Sequence, residues 1–286
     1  MGIMSLFKRS NAIYFPDSIT YFKFPEYFEL YKKIFNRLKI DFVLIDKHID
    51  CGLDPLEAGY ENEARKLARM NFDMLKEAKI SRIITNSPSC YKMFTQNYSG
   101  LLPDWNIETL NMWEIISSKL SSNSNYIKDK SNEQVTFHDS CYLGRYCGIY
   151  DAPREIIKLF GYEIKEMNDN RERSICCGSC GGLPRTNPEL SDKIAKERLL
   201  QAKRTGAKKL VVCSLDNYYL LNKNSKGLGI EVVELSEIIA RGLGISIDFK
   251  DLLQGKEAEE NKNKEIAVNT QEENMKEDVD ENQEIT

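Results

Sequence analysis

The sequence predicts an α/β fold: two tandem, similar βαβ-type domains with small parallel sheets, a pseudo-duplication, followed by a disordered acidic C-terminal tail. Three observations carry this expectation. Short β-branched runs alternate with segments of helical periodicity, the pattern of parallel strands joined by right-handed crossovers. The phrase Asp50-Cys51-Gly52 recurs 126 residues later as Cys176-Cys177-Gly178, and residues 83–91 resemble 210–218 at that spacing to within one residue. Two motifs repeated at one separation are stronger evidence of duplication than either alone. Composition then changes near residue 255: the remaining 32 residues hold eleven acidic residues and four lysines, net −7, with no aromatic residue. Such a stretch cannot bury enough apolar surface to order itself. The expected division is 10–120 for the first domain, 134–254 for the second and 255–286 for the tail.

The elements follow in order. In the first copy the pattern predicts a helix over 25–38, a strand over 41–46, a long helix over 57–78 and a strand over 82–85. Residues 121–133, rich in Ser, Asn and Lys, read as a linker. In the second copy, 135–137 reads as a strand. A helix over 152–160 follows, with Pro153 in its first turn, where a missing N–H costs nothing. A short strand begins within 161–164. Asn187-Pro188 opens a helix whose apolar positions are Leu190, Ile194, Ala195, Leu199 and Ala202, and Gly206 ends it. Strands at 209–213 and 231–234 and a helix over 236–241 complete the copy.

Size and charge narrow the functional classes. The chain has 286 residues, enough for two modest cores. No apolar run approaches the ~20 residues of a membrane span, and residues 1–9 are too short and broken for a secretory signal. The expected location is the cytoplasm, free or peripheral to a membrane complex. The formal charge of −4 is concentrated in the tail, so residues 1–254 carry +3 and show no basic stripe, which argues against nucleic acid. Eight cysteines without a secretory signal point to metal or redox chemistry rather than structural disulfides.

The thiols of the second copy come from three segments: Cys141 after a strand, Cys176 and Cys177 before a helix, and Cys213 at the end of an apolar strand. In an open parallel sheet the ligand site lies at the carboxyl ends of the strands. Gly178, Gly181 and Gly182 let backbone approach a bulky inorganic group, and amides at a helix start favour negative thiolates or sulfides. Thiolate is a soft ligand, suited to zinc, copper(I) and iron–sulfur clusters. Adjacent cysteines such as Cys176 and Cys177 point apart in most backbone conformations and reach two irons of a cluster more naturally than one small ion. A four-thiolate zinc site remains the alternative.

The phrases His138-Asp139-Ser140-Cys141-Tyr142-Leu143-Gly144-Arg145, Asp151-Ala152-Pro153-Arg154 and Cys176-Cys177-Gly178 resemble the second copy of the cysteine-rich CCG-domain family. This family includes the B- and D-type subunits of heterodisulfide reductase and the iron–sulfur subunits of lactate, glycolate and glycerol-3-phosphate oxidising systems. The resemblance covers roughly residues 10–245. It implies an iron–sulfur electron-transfer subunit of an oxidoreductase complex, with a [4Fe-4S] or noncubane cluster held by Cys141, Cys176, Cys177 and Cys213, and with Asp216 or Cys180 as a further ligand. It also implies partners that bring electrons in, ferredoxin-like or flavoprotein, and a disulfide or quinone-linked acceptor.

The sequence departs from the family pattern. The first copy has Asp50 where the first cysteine of the pair belongs, Ser87 where a Cys-x-x-Cys would begin, and no cysteine before Cys51. It is therefore expected to carry no cluster and to serve as scaffold. In the second copy the expected last cysteine reads as Asp216. Cys51 and Cys90 read first as structural thiols and second as a redox disulfide, and Cys147 as an incidental thiol. His138 reads as a structural histidine. Arg145 and Arg154 either offset thiolate charge or lie at the surface, and Trp113 and Tyr218 fit core packing. If the site binds no cluster, the same cysteines would belong to a zinc-binding or metal-free assembly protein.

Overall fold

The computed structural model describes residues 11–44 and 49–246. The tail expected at 255–286 and the end of the strand expected at 41–46 lie outside them. Two small sheets, all parallel, organise the rest. In the first, β1 (Ala12–Phe15), β2 (Arg82–Thr85) and β3 (Glu108–Asn111) pair in that order, and Val43 bridges Ile13 on the outer side of β1. In the second, β4 (Gln134–Phe137), β5 (Glu163–Ile164), β6 (Lys209–Val212) and β7 (Glu231–Glu234) are ordered β5-β4-β6-β7. With Val43 in the place of β5, the two orders coincide. The duplication read from the motifs is therefore a duplication of sheet topology.

Helices fill the crossovers. The first copy contains α1 (Pro25–Arg37), α2 (Leu53–Glu57), α3 (Glu61–Glu77), α4 (Pro88–Lys92), α5 (Tyr98–Leu101) and α6 (Met112–Ser122). The second contains α7 (Asp151–Leu159), α8 (Leu183–Thr186), α9 (Pro188–Arg204), α10 (Leu215–Asn224) and α11 (Leu235–Leu243). The helix expected over 57–78 begins only at Glu61, as α3, because the chain turns through Gly59 at φ +86° after α2 ends at Glu57. By contrast α9 begins and stops where its sequence says. The Asn187 side chain accepts from Leu190 N at 3.1 Å, Pro188 follows at the first helical position, and Gly206 takes φ +81° just past the end.

Register between the copies is fixed by matched caps. Ser87 caps α4 and Ser214 precedes α10, and Tyr91 N donates to Ser87 O as Tyr218 N donates to Ser214 O, both at 2.9 Å. Thr85 pairs with Asn111, the N-cap of α6, and Val212 pairs with Glu234, the N-cap of α11. At this point the offset is 127, whereas Gly52 and Gly178, both left-handed at φ +83° and +88°, keep the offset of 126. The structure thus sets Cys90 against Asn217, and Asn86 against Cys213.

The described residues through Ile245 form one body, and the halves are joined by specific contacts. Trp113, wholly buried, donates from Nε1 to Cys213 O at 3.1 Å, and Tyr27 OH donates to Glu237 at 2.6 Å. Truncating such a tryptophan to alanine costs about 3–5 kcal/mol. Tyr142 OH reaches Glu57 at 2.6 Å, and its ring belongs to the first copy's core with Cys51, Cys90 and Phe94.

Candidate functional site

The site lies at the carboxyl ends of β4 and β6, where the chain leaves β4 toward β5 on one side and β6 lies on the other. This is the switch point at which open parallel sheets bind ligands. His138, Asp139, Ser140 and Cys141 follow β4 directly, and Cys213 follows β6. The loop 174–182 comes down over the gap from beyond β5. Gly178 lets it do so: at φ +88° a Cβ would sit 2.9 Å from Ser191 O, and Ser191 Oγ donates to Gly178 O at 2.9 Å.

Four thiols act on one another's ionisation there: Cys141 with Cys176 and Cys180, and Cys176 with Cys177. Ser179 Oγ closes the set, 3.3 Å from Cys180 Sγ and 3.4 Å from Cys177 Sγ. Gly178 N–H donates to Cys176 Sγ at 3.3 Å, and Asn217 Nδ2 donates to Cys177 Sγ at 3.2 Å and to Ser179 Oγ at 2.7 Å. The Cys176 thiol is pushed well down by Cys141 and Cys177, joined by the Gly178 amide. Its neighbours are correspondingly pushed up, Cys141 by Cys176 and Cys180, and Cys177 by Cys176 and by burial.

The other two expected ligands lie in different surroundings. Cys213 is fully buried behind the strand end, and burial raises it, with Glu234, Asp139 and Arg154 as the charges that bear on it. Asp216 faces a cleft of about 210 Å³ between the two halves, lined also by Leu53, Asp54, Ser89, Cys180 and Arg185. Burial and the like charges of Asp17 and Asp54 push it up to about 8. Cys180 joins the thiol set directly. Asn217, not singled out in the sequence, occupies the position that Cys90 holds in the first copy. The signal that could have found it is the one-residue difference between the glycine offset and the strand offset. Cys147, half-buried and raised to about 11 by burial, lies outside the set and near Gln96.

Behind the thiols stands a charged network that fixes the loops. Arg154 grips Asp139 with two hydrogen bonds of 2.7 and 2.8 Å and reaches Glu166, and Arg171 N donates to Asp139 at 2.7 Å. Arg154 is thus a buried anchor. Arg198, wholly buried, donates to His138 Nδ1 at 3.1 Å and to Ser174 Oγ at 3.0 Å. Burial and Arg198 push His138 down to about 3, so it is a neutral imidazole. Arg145 donates to Ser174 O from the exposed side.

Among the described residues no three His, Cys, Asp or Glu side chains are grouped around one ion position. The donor chemistry does fit a polynuclear thiolate-ligated group: four linked soft sulfurs, backbone and amide N–H donors aimed at them, and buried cations behind. Asn217 Oδ1 is buried with no partner.

The sequence model of the cysteine-rich domain, CCG, matches residues 17–95 and 135–216, together more than half of the chain. This chain belongs to the CCG cysteine-rich domain family. The two matched stretches are the two copies seen in the sheets. The chain is similar to the probable iron-sulfur-binding oxidoreductase FadF of Bacillus subtilis, 32% identical over 60% of this chain and 24% of the relative. It is similar to the D-type subunit of the dihydromethanophenazine:CoB–CoM heterodisulfide reductase of Methanosarcina mazei, 25% identical over 74% of this chain and 54% of the relative. It is also similar to lactate utilization protein A 2 of Bacillus cereus, 24% identical over 77% of this chain and 93% of the relative. The chain thus spans a quarter to a half of the first two CCG relatives. No helix among the described residues is long and apolar enough to cross a membrane.

Proposed function

We propose that this chain is an iron–sulfur electron-transfer subunit of a heterodisulfide-reductase-like oxidoreductase complex, with one cluster in the second copy and the first copy as scaffold and docking surface. The supporting observation is the linked set Cys141, Cys176, Cys177 and Cys180 at the switch point of the second sheet. These four would hold the cluster, a [4Fe-4S] or noncubane form, with Cys213 and Asp216 as the neighbouring groups the family pattern also places there. A cluster supplies one-electron exchange. The chain's own residues position it: Asn217 and Gly178 donate to the sulfurs, Gly178 allows the loop to close, and Arg154 with Asp139 fixes the segment that presents Cys141. Electron supply from a ferredoxin-like or flavoprotein subunit, and delivery to a disulfide or quinone-linked acceptor, complete the reading. So do the division of the body into domains 10–120 and 134–254 and a location in the cytoplasm or at the edge of a membrane complex.

The test is anaerobic purification with iron and acid-labile sulfide analysis and EPR of the reduced protein. Several irons per chain with matching sulfide support the reading. Fewer than about two irons after reconstitution would sink it, since a cluster bridges several ions with its thiolates. Stoichiometric zinc in a colourless protein would instead identify a zinc-binding assembly protein.

A further inference from the structure

The first copy keeps two thiols, and the structure brings them together. Cys90 Sγ donates to Cys51 Sγ at 2.8 Å, with Cys51 6% and Cys90 2% exposed. Two nearby side chains, Asp50 and Ser87, hold these thiols in place. Asp50 Oδ1 accepts from Gly52 N at 2.7 Å and its Oδ2 accepts from Ser18 Oγ at 3.0 Å, fixing the left-handed turn that carries Cys51. Ser87 Oγ accepts from Cys90 N at 3.4 Å, fixing the first turn of α4. From the other side Tyr98 OH donates to Cys51 O at 3.0 Å, and Asn71 Nδ2 donates to Asp50 O at 2.9 Å and to Tyr98 OH at 2.8 Å. Asp50 and Ser87 are thus engaged in hydrogen bonds, and among the described residues no group of three metal-binding side chains includes these thiols.

We propose that Cys51 and Cys90 form a reversible dithiol–disulfide couple, a two-electron redox site in the copy that holds no cluster. The pair is pre-positioned: closing 2.8 Å to a disulfide bond of about 2.05 Å takes a shift of about 0.8 Å. It also lies beside the cleft between the halves, because Leu53 and Ser89, each within two residues of a thiol, line that cleft opposite Cys180. Cys141 and Cys180 of the second copy pack against the same core as Cys51 and Cys90. The couple thus abuts the thiol centre across the interface of the copies.

The oxidant by class is a low-molecular-weight disulfide, RSSR. Cys51, the less buried thiol and the acceptor of the Cys90 hydrogen bond, attacks one sulfur as its thiolate, so that a Cys51–SR bond forms and RS⁻ leaves. Cys90 then attacks the Cys51 sulfur, the Cys51–Cys90 bond forms and the second RS⁻ leaves. The two protons given up by the cysteines end on the two RSH products. Two thiols are oxidised and one disulfide is reduced. Reduction by a dithiol runs the same steps backward. Burial raises the Cys90 thiol, so Cys90 is the poorer nucleophile of the reduced pair.

The couple does not depend on the cluster reading, and one experiment separates them. The full chain, as purified anaerobically, is equilibrated in glutathione buffers of stepped thiol-to-disulfide ratio, quenched in acid, denatured, alkylated and mapped by mass spectrometry; iron is measured on the same samples. We expect a Cys51–Cys90 linked peptide, lighter by two hydrogens, that rises with oxidation along a two-electron curve and disappears with dithiothreitol. It should do so whether or not iron is bound. Cys90→Ser should leave Cys51 trapped as its glutathione adduct. The proposal is overturned if Cys51 and Cys90 are both still fully alkylated in the most oxidising buffer, or if either links preferentially to another cysteine. Absence of iron with a reversible Cys51–Cys90 bond would overturn the cluster and keep the couple.

Discussion

Asn217 stands to Cys177 as Cys90 stands to Cys51. In each copy the first turn of a helix after a strand sends one side chain onto the sulfur of the cysteine that precedes a left-handed glycine. In the first copy that side chain is a thiol at 2.8 Å, and in the second it is an amide at 3.2 Å. The exchange changes the chemistry from a dithiol pair to a donated hydrogen bond. An amide N–H aimed at sulfur stabilises negative charge there without competing as a ligand, the role that outer partners play around metal-bound groups. We expect Asn217→Ala to fold but to bind iron 10- to 100-fold more weakly, on the order of other outer-partner losses, read as faster release to a chelator. Asn217→Asp should be worse than Asn217→Ala, because a carboxylate cannot donate and repels the thiolates. Equal iron retention in all three proteins would refute the role.

Gly178 and Gly52 make a matched pair of tests. Both have positive φ, so alanine at either strains the backbone by roughly 1–2 kcal/mol. Only at Gly178 does the added Cβ also strike backbone, Ser191 O at 2.9 Å, whereas at Gly52 the nearest atom is 3.5 Å away. Gly178→Ala should therefore lower Tm more than Gly52→Ala. It should also shift the Gly178 N–H off Cys176 and reduce iron content, which Gly52→Ala should leave unchanged. Thermal melts and metal analysis of the two variants decide it.

Arg154 and Asp139 are both nearly excluded from water, with side chains 3% and 2% exposed. Removing one partner of such a pair leaves a buried uncompensated charge and costs about 3–5 kcal/mol. Arg154→Leu should approach that loss in denaturant melts, while Arg154→Leu combined with Asp139→Asn should recover part of it. Burial raises the Asp139 carboxyl, but the hydrogen bonds and charge of Arg154 more than offset this and hold it below the usual range. A depressed carboxylate stabilises the fold above its unfolded value, about 3.9, and that contribution is lost as pH falls through the lower folded value. The pair's share of stability should accordingly vanish only in acid below about pH 4, seen as a steeper acid limb for wild type than for the double variant.

What is legible in the sequence is whatever is local and strongly patterned. The caps Asn187-Pro188 and Gly206 place α9, and the recurrence of the Cys-Gly phrase discloses two copies whose sheets indeed share one order. Elements without alternation or periodicity escape. β1 is four buried apolar residues with no pattern to read, and β3, Glu-Thr-Leu-Asn, has weak strand propensity and is held by its pairing with β2. α10 buries Leu215, Asn217, Tyr218, Leu220 and Leu221 on nearly all sides, so it shows no clean stripe. At the site, the sequence groups Cys141, Cys176 and Cys177, and in the structure these three and Cys180 act on one another's ionisation. Asp216 lines the same cleft as Cys180. Which way a strand end and a helix start face is not contained in spacing alone.

Glu234 gives a pH test of the core between the copies. It ends β7, caps α11 by accepting from Ser236 N at 2.7 Å, and is fully buried with Oε1 unpartnered. Burial pushes its carboxyl up to about 8, against the opposing pull of the Ser236 hydrogen bonds. The unfolded chain would titrate near 4.3. Between these values the native protein holds a proton that the unfolded chain releases, so this contribution to stability is fully present below about pH 4.3 and is lost as pH rises toward 8. His138 acts oppositely, since a histidine depressed to about 3 makes stability rise with pH up to about 6.5, and Asp216, raised to about 8, adds to the decline. A difference curve removes both. Glu234→Gln keeps the oxygen that caps α11 and cannot ionise, so its Tm should converge on that of wild type below about pH 4.3, exceed it increasingly up to about pH 8 and level off above. Parallel Tm profiles for the two proteins across pH 5–9 would show that Glu234 is ionised in the fold.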